Sequence, residues 1–223
     1  MTATGINVAK AKRKPSASGE ETKARILAAT LATLKEEGIV GTSARAIART
    51  GDFNQALIFY HFGSVDDAIV NAVGEMSDRR LENHRAKLEV ATSLPDLIRV
   101  ARDLHDHDAT YDNMTVLTQA FAGAAGDPEM GPKLYAKLEP WSEMVSESLK
   151  RIVDTYPAAT SVPHEHIANA IGAMFLGIEL LDDLDPSRSH ATSMFDSLES
   201  LASLLDDLLA TPLLEMLLPN TST

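Results

Sequence analysis

Residues 42–62, TSARAIARTGDFNQALIFYHF, constrain this chain more than any other stretch. Ala44, Ile47 and Ala48 give a first short helix a small apolar face, and Thr42 or Ser43 can cap its start. Thr50, Gly51, Asp52 and Phe53 then break the period with turn-forming residues. Asn54 can cap a second helix whose apolar set is Leu57, Ile58 and Phe62. Two short helices joined by a tight turn, with small residues where they cross, make a helix-turn-helix. The second helix of such a pair enters the DNA major groove, leading here with Asn54, Gln55 and Ala56 and followed one turn later by Tyr60.

The rest of the chain reads as helix throughout, so the expected fold class is all-α. Residues 1–19 lack apolar periodicity and are expected to be a disordered basic tail, with Lys10, Lys12, Arg13 and Lys14 able to track phosphates. Glu20–Glu37 reads as a helix with Leu27, Leu31 and Leu34 turned toward the helix-turn-helix, stopped by Gly38. Residues 20–63 form the expected DNA-binding head. Ser64 caps a long helix, with Asp66 and Asp67 in its first turn and Ile69, Val73 and Met76 on one face. This helix joins the head to a larger helical body, residues 64–223.

In the body, helices are expected over about 94–107, 110–125, 127–156, 163–184 and 190–209, with Pro140 kinking or breaking the third. That makes nine helices. The last two carry heptad-like seams. Ile167, Ile171, Met174, Ile178 and Leu181 alternate steps of four and three, as do Met194, Leu198, Leu201, Leu205 and Leu208. Such seams suit a homodimer in which Ile167, Ile171, Met174, Ile178, Leu198, Leu201 and Leu205 meet a second subunit.

Composition agrees with a folded helical protein. The 223 residues are 44% hydrophobic, enough for a substantial core. The absence of cysteine removes disulfide and thiolate chemistry and suits a cytoplasmic location. The most apolar stretch, Ile167–Leu181, contains Asn169 and Glu179 and is too short for a membrane span. The net charge of −12 is unevenly divided: nine basic residues face five acidic ones up to Gly63, and the acidic excess lies beyond. A basic head on an acidic body orients a protein on a polyanion.

The motif resembles the DNA-binding domain of TetR-type transcriptional regulators. Thr42, Ser43, Ile47, Ala48, His61, Phe62 and Ser64 match that family's pattern, and Phe53, Asn54, Ile58, Phe59 and Asp66 are near equivalents. The resemblance implies a repressor that binds a palindromic operator in double-stranded DNA as a dimer and is released by a small-molecule effector. It implies DNA contacts from Thr42, Ser43, Arg45, Asn54, Gln55, Ala56, Phe59, Tyr60 and His61. Four positions depart from the pattern. Asp52 stands where the family has a turn glycine, Ala56 where it has a helix glycine, Phe59 where it has a phosphate-reaching tyrosine, and Val65 where it has a lysine. The family also implies a ligand cavity in the body, for which Met114, Leu117, Thr118, Phe121, Trp141 and Met144 are the candidates.

Other chemistry is poorly supported. His105 and His107, like His164 and His166, are two residues apart and do not share a helix face. The second pair reads His-Glu-His, not the spacing that puts two ligands one turn apart. No metal, cofactor or catalytic residue is therefore expected. Two alternatives stay open at this point: a helical interaction protein with a degenerate DNA-binding head, and an all-helical enzyme using acidic and histidine residues.

Overall fold

The computed structural model describes residues 17–111, 113–156, 163–185 and 190–210. These form ten helices and, among the described residues, no strand. They are α1 (Ala17–Gly41), α2 (Ala44–Gly51), α3 (Ala56–Phe62), α4 (Val65–Val90), α5 (Leu94–Tyr111), α6 (Asn113–Ala124), α7 (Met130–Ala136), α8 (Glu139–Val153), α9 (His164–Leu184) and α10 (His190–Ala210). The count exceeds nine because the segment around Pro140 breaks into α7 and α8. Pro140 sits in the first turn of α8, where a missing N–H leaves no helical bond unmade. The basic cluster Lys10–Lys14 lies outside the described residues, whereas 17–19 of the expected tail belong to α1.

α1 serves two cores, which corrects the expected single face of leucines. Ile26 and Ala29 pack with Ile47, Ile58 and Ala68 into the head core. Leu34 and Leu31 instead join the body cluster of Ile69, Val73, Leu117 and Ala120. The physical reason is size. Ala29 and Thr33 face α2, where Thr33 bonds Thr50 and Ala29 lies close to Gly51, and the bulkier Leu31 and Leu34 face α4 and α6. The threonine hydroxyls are satisfied within the helix: Thr30 donates to the Ile26 carbonyl and Thr33 to that of Ala29, each at 2.8 Å.

α4 is the axle of the molecule. Ser64 caps it as expected, its Oγ accepting from the Asp67 N–H at 2.9 Å. Its buried residues change partners along its length. Ala68 belongs to the head, Ile69, Val70, Val73 and Met76 to the cluster with α1, α6 and α7, and Leu81 and Leu88 to a cluster with Met144 of α8. Near its start, Asp67 takes a 2.7 Å ion pair from Lys133 of α7, and this bond holds the Asp67 carboxyl below its ordinary range. At the far side of the body α10 lies on α5, and Ile178 of α9 packs with Ala191 and Phe195 of α10. No helix among the described residues is long and apolar enough to cross a membrane.

Candidate functional site

The turn between α2 and α3 is built by backbone geometry and one arginine. Asp52 adopts the left-handed conformation, φ 50° and ψ 58°, and is the only non-glycine residue with positive φ among those described. Aspartate tolerates this region better than most side chains, so the family's turn glycine is not required here. Gly51 is needed for another reason: a Cβ there would lie 2.1 Å from the Phe53 ring and 2.8 Å from the Ala29 side chain. Arg25 of α1 donates to the carbonyls of Gly51 and Asp52 at 3.0 and 3.1 Å, and its guanidinium stacks over Phe53. Sequence reading missed Arg25, because its acceptors are backbone atoms that no residue pattern marks.

This turn sets α3 on the head with Ile58 fully buried and Leu57 and Phe62 against the core. Asn54 Oδ1 accepts from the Ala56 N–H at 2.9 Å and starts the helix. The opposite face carries Gln55, Ala56, Phe59 and Tyr60, all exposed, with Phe59 at 51% and Tyr60 at 81%. His61 is half-buried, edge-on to the Tyr60 ring at 4.9 Å. Ser43 caps α2 by accepting from the Ala46 N–H at 3.2 Å, which leaves its exposed hydroxyl hydrogen available to an outside acceptor.

The head's three arginines have different duties. Arg25 holds the turn, and Arg49 is paired with Glu37. Arg45 is exposed on the first turn of α2 and has no ion pair or hydrogen-bond partner among the described residues. Thr42, one of the expected DNA contacts, is held inside the head. It is 9% exposed, and its hydroxyl donates to the Gly38 carbonyl at 2.7 Å, so it braces the entry to α2. Val65 is likewise turned inward, half-buried against both the head and body clusters, although the family places a lysine there.

The six candidate pocket residues do not come together. Met114, Thr118 and Phe121 of α6 line an open groove of about 420 Å³, with Ala122, Ala125 and, from α9, Leu176, Gly177 and Leu180. Leu117 points the other way, into the α1–α4 core. Trp141 and Met144 pack beyond α4 with Leu81, and Trp141 Nε1 donates to Ser77 Oγ at 2.8 Å. Adjacent positions on α6 face opposite sides, which composition alone does not reveal.

The heptad seams are also divided. Ile178 is 2% exposed within the single chain and Leu198 packs against its cluster, so neither lies on an open face. Ile167 and Ile171 pack against Leu149 and Val153 of α8. Met174, Leu201 and Leu205 of the expected set are exposed, and Leu180, Leu181, Leu184, Leu204 and Leu208 join them. Behind this face, buried Glu179 lies 2.7 Å from His105 Nδ1, and Asp182 lies 3.6 Å from Nε2. The Glu179 bond holds the imidazole above its ordinary pKa. His107 instead sits edge-on to His84 at 5.7 Å. The described residues contain no group of three or more side chains able to hold a metal.

Residues 26–69 match the family described as bacterial regulatory proteins, tetR family. A curated relative in Mycobacterium tuberculosis, an uncharacterized HTH-type transcriptional regulator, is 27% identical over 147 residues, spanning 66% of this chain and 73% of its own. The fold is similar to that of a TetR-family transcriptional regulator from Cytophaga hutchinsonii, with TM-score 0.68, 17% identity and coverage of 86% and 97% of the two chains. It is also similar to the fatty acid degradation regulator FadR from Bacillus halodurans, with TM-score 0.67, 14% identity and coverage of 80% and 96%.

Proposed function

We propose that this chain, a transcriptional regulator of the TetR family, is a cytoplasmic repressor that binds a palindromic operator as a homodimer and leaves it when a small molecule enters the α6–α9 groove. The observation that carries this reading is the exposed face of α3, which follows the turn clamped by Arg25, together with exposed Ser43 and Arg45 at the start of α2. Such a face supplies side chains to base edges, while the arginine and the serine hydroxyl meet phosphates. The open apolar face of α9 and α10 supports pairing of two chains in a four-helix contact. A groove of about 420 Å³ lined by Met114, Phe121, Leu176 and Leu180 suits an effector that is largely apolar.

Effector and operator then compete through rigid elements. Operator half-sites have fixed spacing, so a small change in the separation of the two α3 helices prevents both from docking. About 1.4 kcal/mol of differential effector binding shifts that equilibrium tenfold. Selection of duplexes from a random pool with the full chain tests the proposal, with a palindromic consensus as the expected outcome. Failure to enrich any duplex at low salt would leave the chain as a helical interaction protein. Thermal-shift hits that stabilise the body yet leave operator affinity unchanged would remove the effector switch.

A further inference from the structure

We infer that α3 reads thymine methyl groups, with Phe59 as the residue that selects them, so that each operator half-site is centred on A·T pairs. The inference rests on the DNA-binding reading above and deepens it by naming the bases.

The chemistry available on α3 is narrow. From Phe53 to Tyr60 the chain has no charged side chain. The face left open offers the Gln55 amide, the Ala56 methyl, the Phe59 ring and the Tyr60 phenol. Guanine is most often read by arginine or lysine at O6 and N7, and cytosine by a carboxylate at N4. None of these groups stands on this face. Adenine N6 and N7 accept a bidentate amide, which Gln55 supplies, and the thymine 5-methyl is read by apolar contact, which Ala56 and Phe59 supply.

Phe59 is the decisive member. A tyrosine at this position would carry a hydroxyl able to reach a phosphate, and phenylalanine has no such donor. Its ring is nonetheless 51% exposed, with its backbone fixed by the Gly63 N–H bonding to the Phe59 carbonyl at 3.0 Å. The inner side of α3 is already filled by Ile58, so the ring does not complete the head core. Gln55 and Phe59 are four positions apart and share one helix face. One helical turn rises about 5.4 Å, or about two base-pair steps, so the adenine read by Gln55 and the methyl read by Phe59 fall within about two steps of each other. Arg45, on α2, supplies the charge that the reading face lacks.

Uracil differs from thymine in the 5-methyl alone, and this gives a direct test. Duplexes are selected with the full chain, and each thymine of the enriched half-site is replaced in turn by deoxyuridine. Binding is measured by fluorescence anisotropy for the parent and for Phe59→Ala. At one or two positions, loss of the methyl weakens the parent about fourfold per half-site, the size expected for burying one methyl. With Phe59→Ala the same replacement has no further effect, the coupling that marks a direct contact. If every deoxyuridine duplex binds the parent as tightly as its thymine counterpart, the inference is overturned while DNA binding stands. A deoxyuridine penalty that persists unchanged in Phe59→Ala overturns the assignment to Phe59. If no duplex is enriched at all, the DNA-binding reading itself fails.

Discussion

The side-chain carbonyl of Gln119 on α6 accepts a hydrogen bond from the backbone N–H of Ile39, 80 positions earlier at the end of α1, at 2.9 Å. Two glycines make the approach possible. Gly38 has φ 68°, and a Cβ there would lie 3.1 Å from Gln119 Oε1; a Cβ at Gly123 would lie 2.6 Å from the Ile39 side chain. The Gly38 carbonyl in turn holds Thr42 at the entry to α2. The helix that lines the groove with Thr118 and Phe121 therefore also grips the head, and α4 is not the sole mechanical link between them.

Removing that grip has a measurable cost. Gln119→Ala leaves the Ile39 N–H without its acceptor and should lower unfolding free energy by about 1–3 kcal/mol. Gln119→Glu keeps an oxygen at the same place and should lose less. Urea titrations of the three proteins check this, and an alanine variant as stable as the parent would show the bond to be dispensable.

Arg45 and Val65 make opposite predictions about salt. Arg45→Ala should reduce the slope of log affinity against log salt by about 0.9, the value for one phosphate contact, with little change in sequence preference. Val65→Lys should leave the slope unchanged, because residue 65 packs between the head and body clusters. Its expected effect is on stability, through a cation forced toward an apolar seam. Operator titrations over a range of potassium chloride concentrations separate the two.

On the apolar helices α9 and α10, the exposure of each residue decides what a charge does. Leu204 is 66% exposed, so Leu204→Asp should keep the helical content of the parent and sediment as a monomer, whereas the parent should sediment as a dimer. Ile178→Asp places a charge in the core with Phe195 and should unfold the α5–α9–α10 unit instead. Circular dichroism and sedimentation together distinguish them. A dimeric Leu204→Asp would move the interface elsewhere.

The pairing of half-buried His105 with buried Glu179 should make stability depend on pH. The groups facing His105 are Glu179 and Asp182 from α9 and Asp106 from its own helix, with Glu179 the largest influence. Because the folded pKa lies above the ordinary 6.5, the pair's stabilisation is full below that value and is lost as pH rises through the raised folded pKa. Urea midpoints of the parent should therefore fall, as pH rises above 6.5, more steeply than those of His105→Gln. Parallel slopes would assign the pH dependence to other groups.

The sequence by itself determined the elements that local rules govern. Ser43 and Ser64 cap helices because a hydroxyl can satisfy nearby N–H groups, Asp52 accepts a left-handed turn, and Pro140 ends one helix and starts another. The exposed face of α3 followed from the same short-range spacing, because Ile58 must turn inward. The tertiary structure alone decided which side of a helix meets which partner. Ile178 and Leu181 belong to one heptad pattern, yet the first is buried and the second is 51% exposed. Leu117 and Thr118 are neighbours in sequence but face a core and a groove respectively. Periodicity says that a face is apolar; only the placement of α5, α8 and α10 around α9 says whether that face is already covered. Arg25 and Gln119 lay beyond sequence reading for a related reason: their partners are backbone atoms 26 to 80 residues away, brought near by packing.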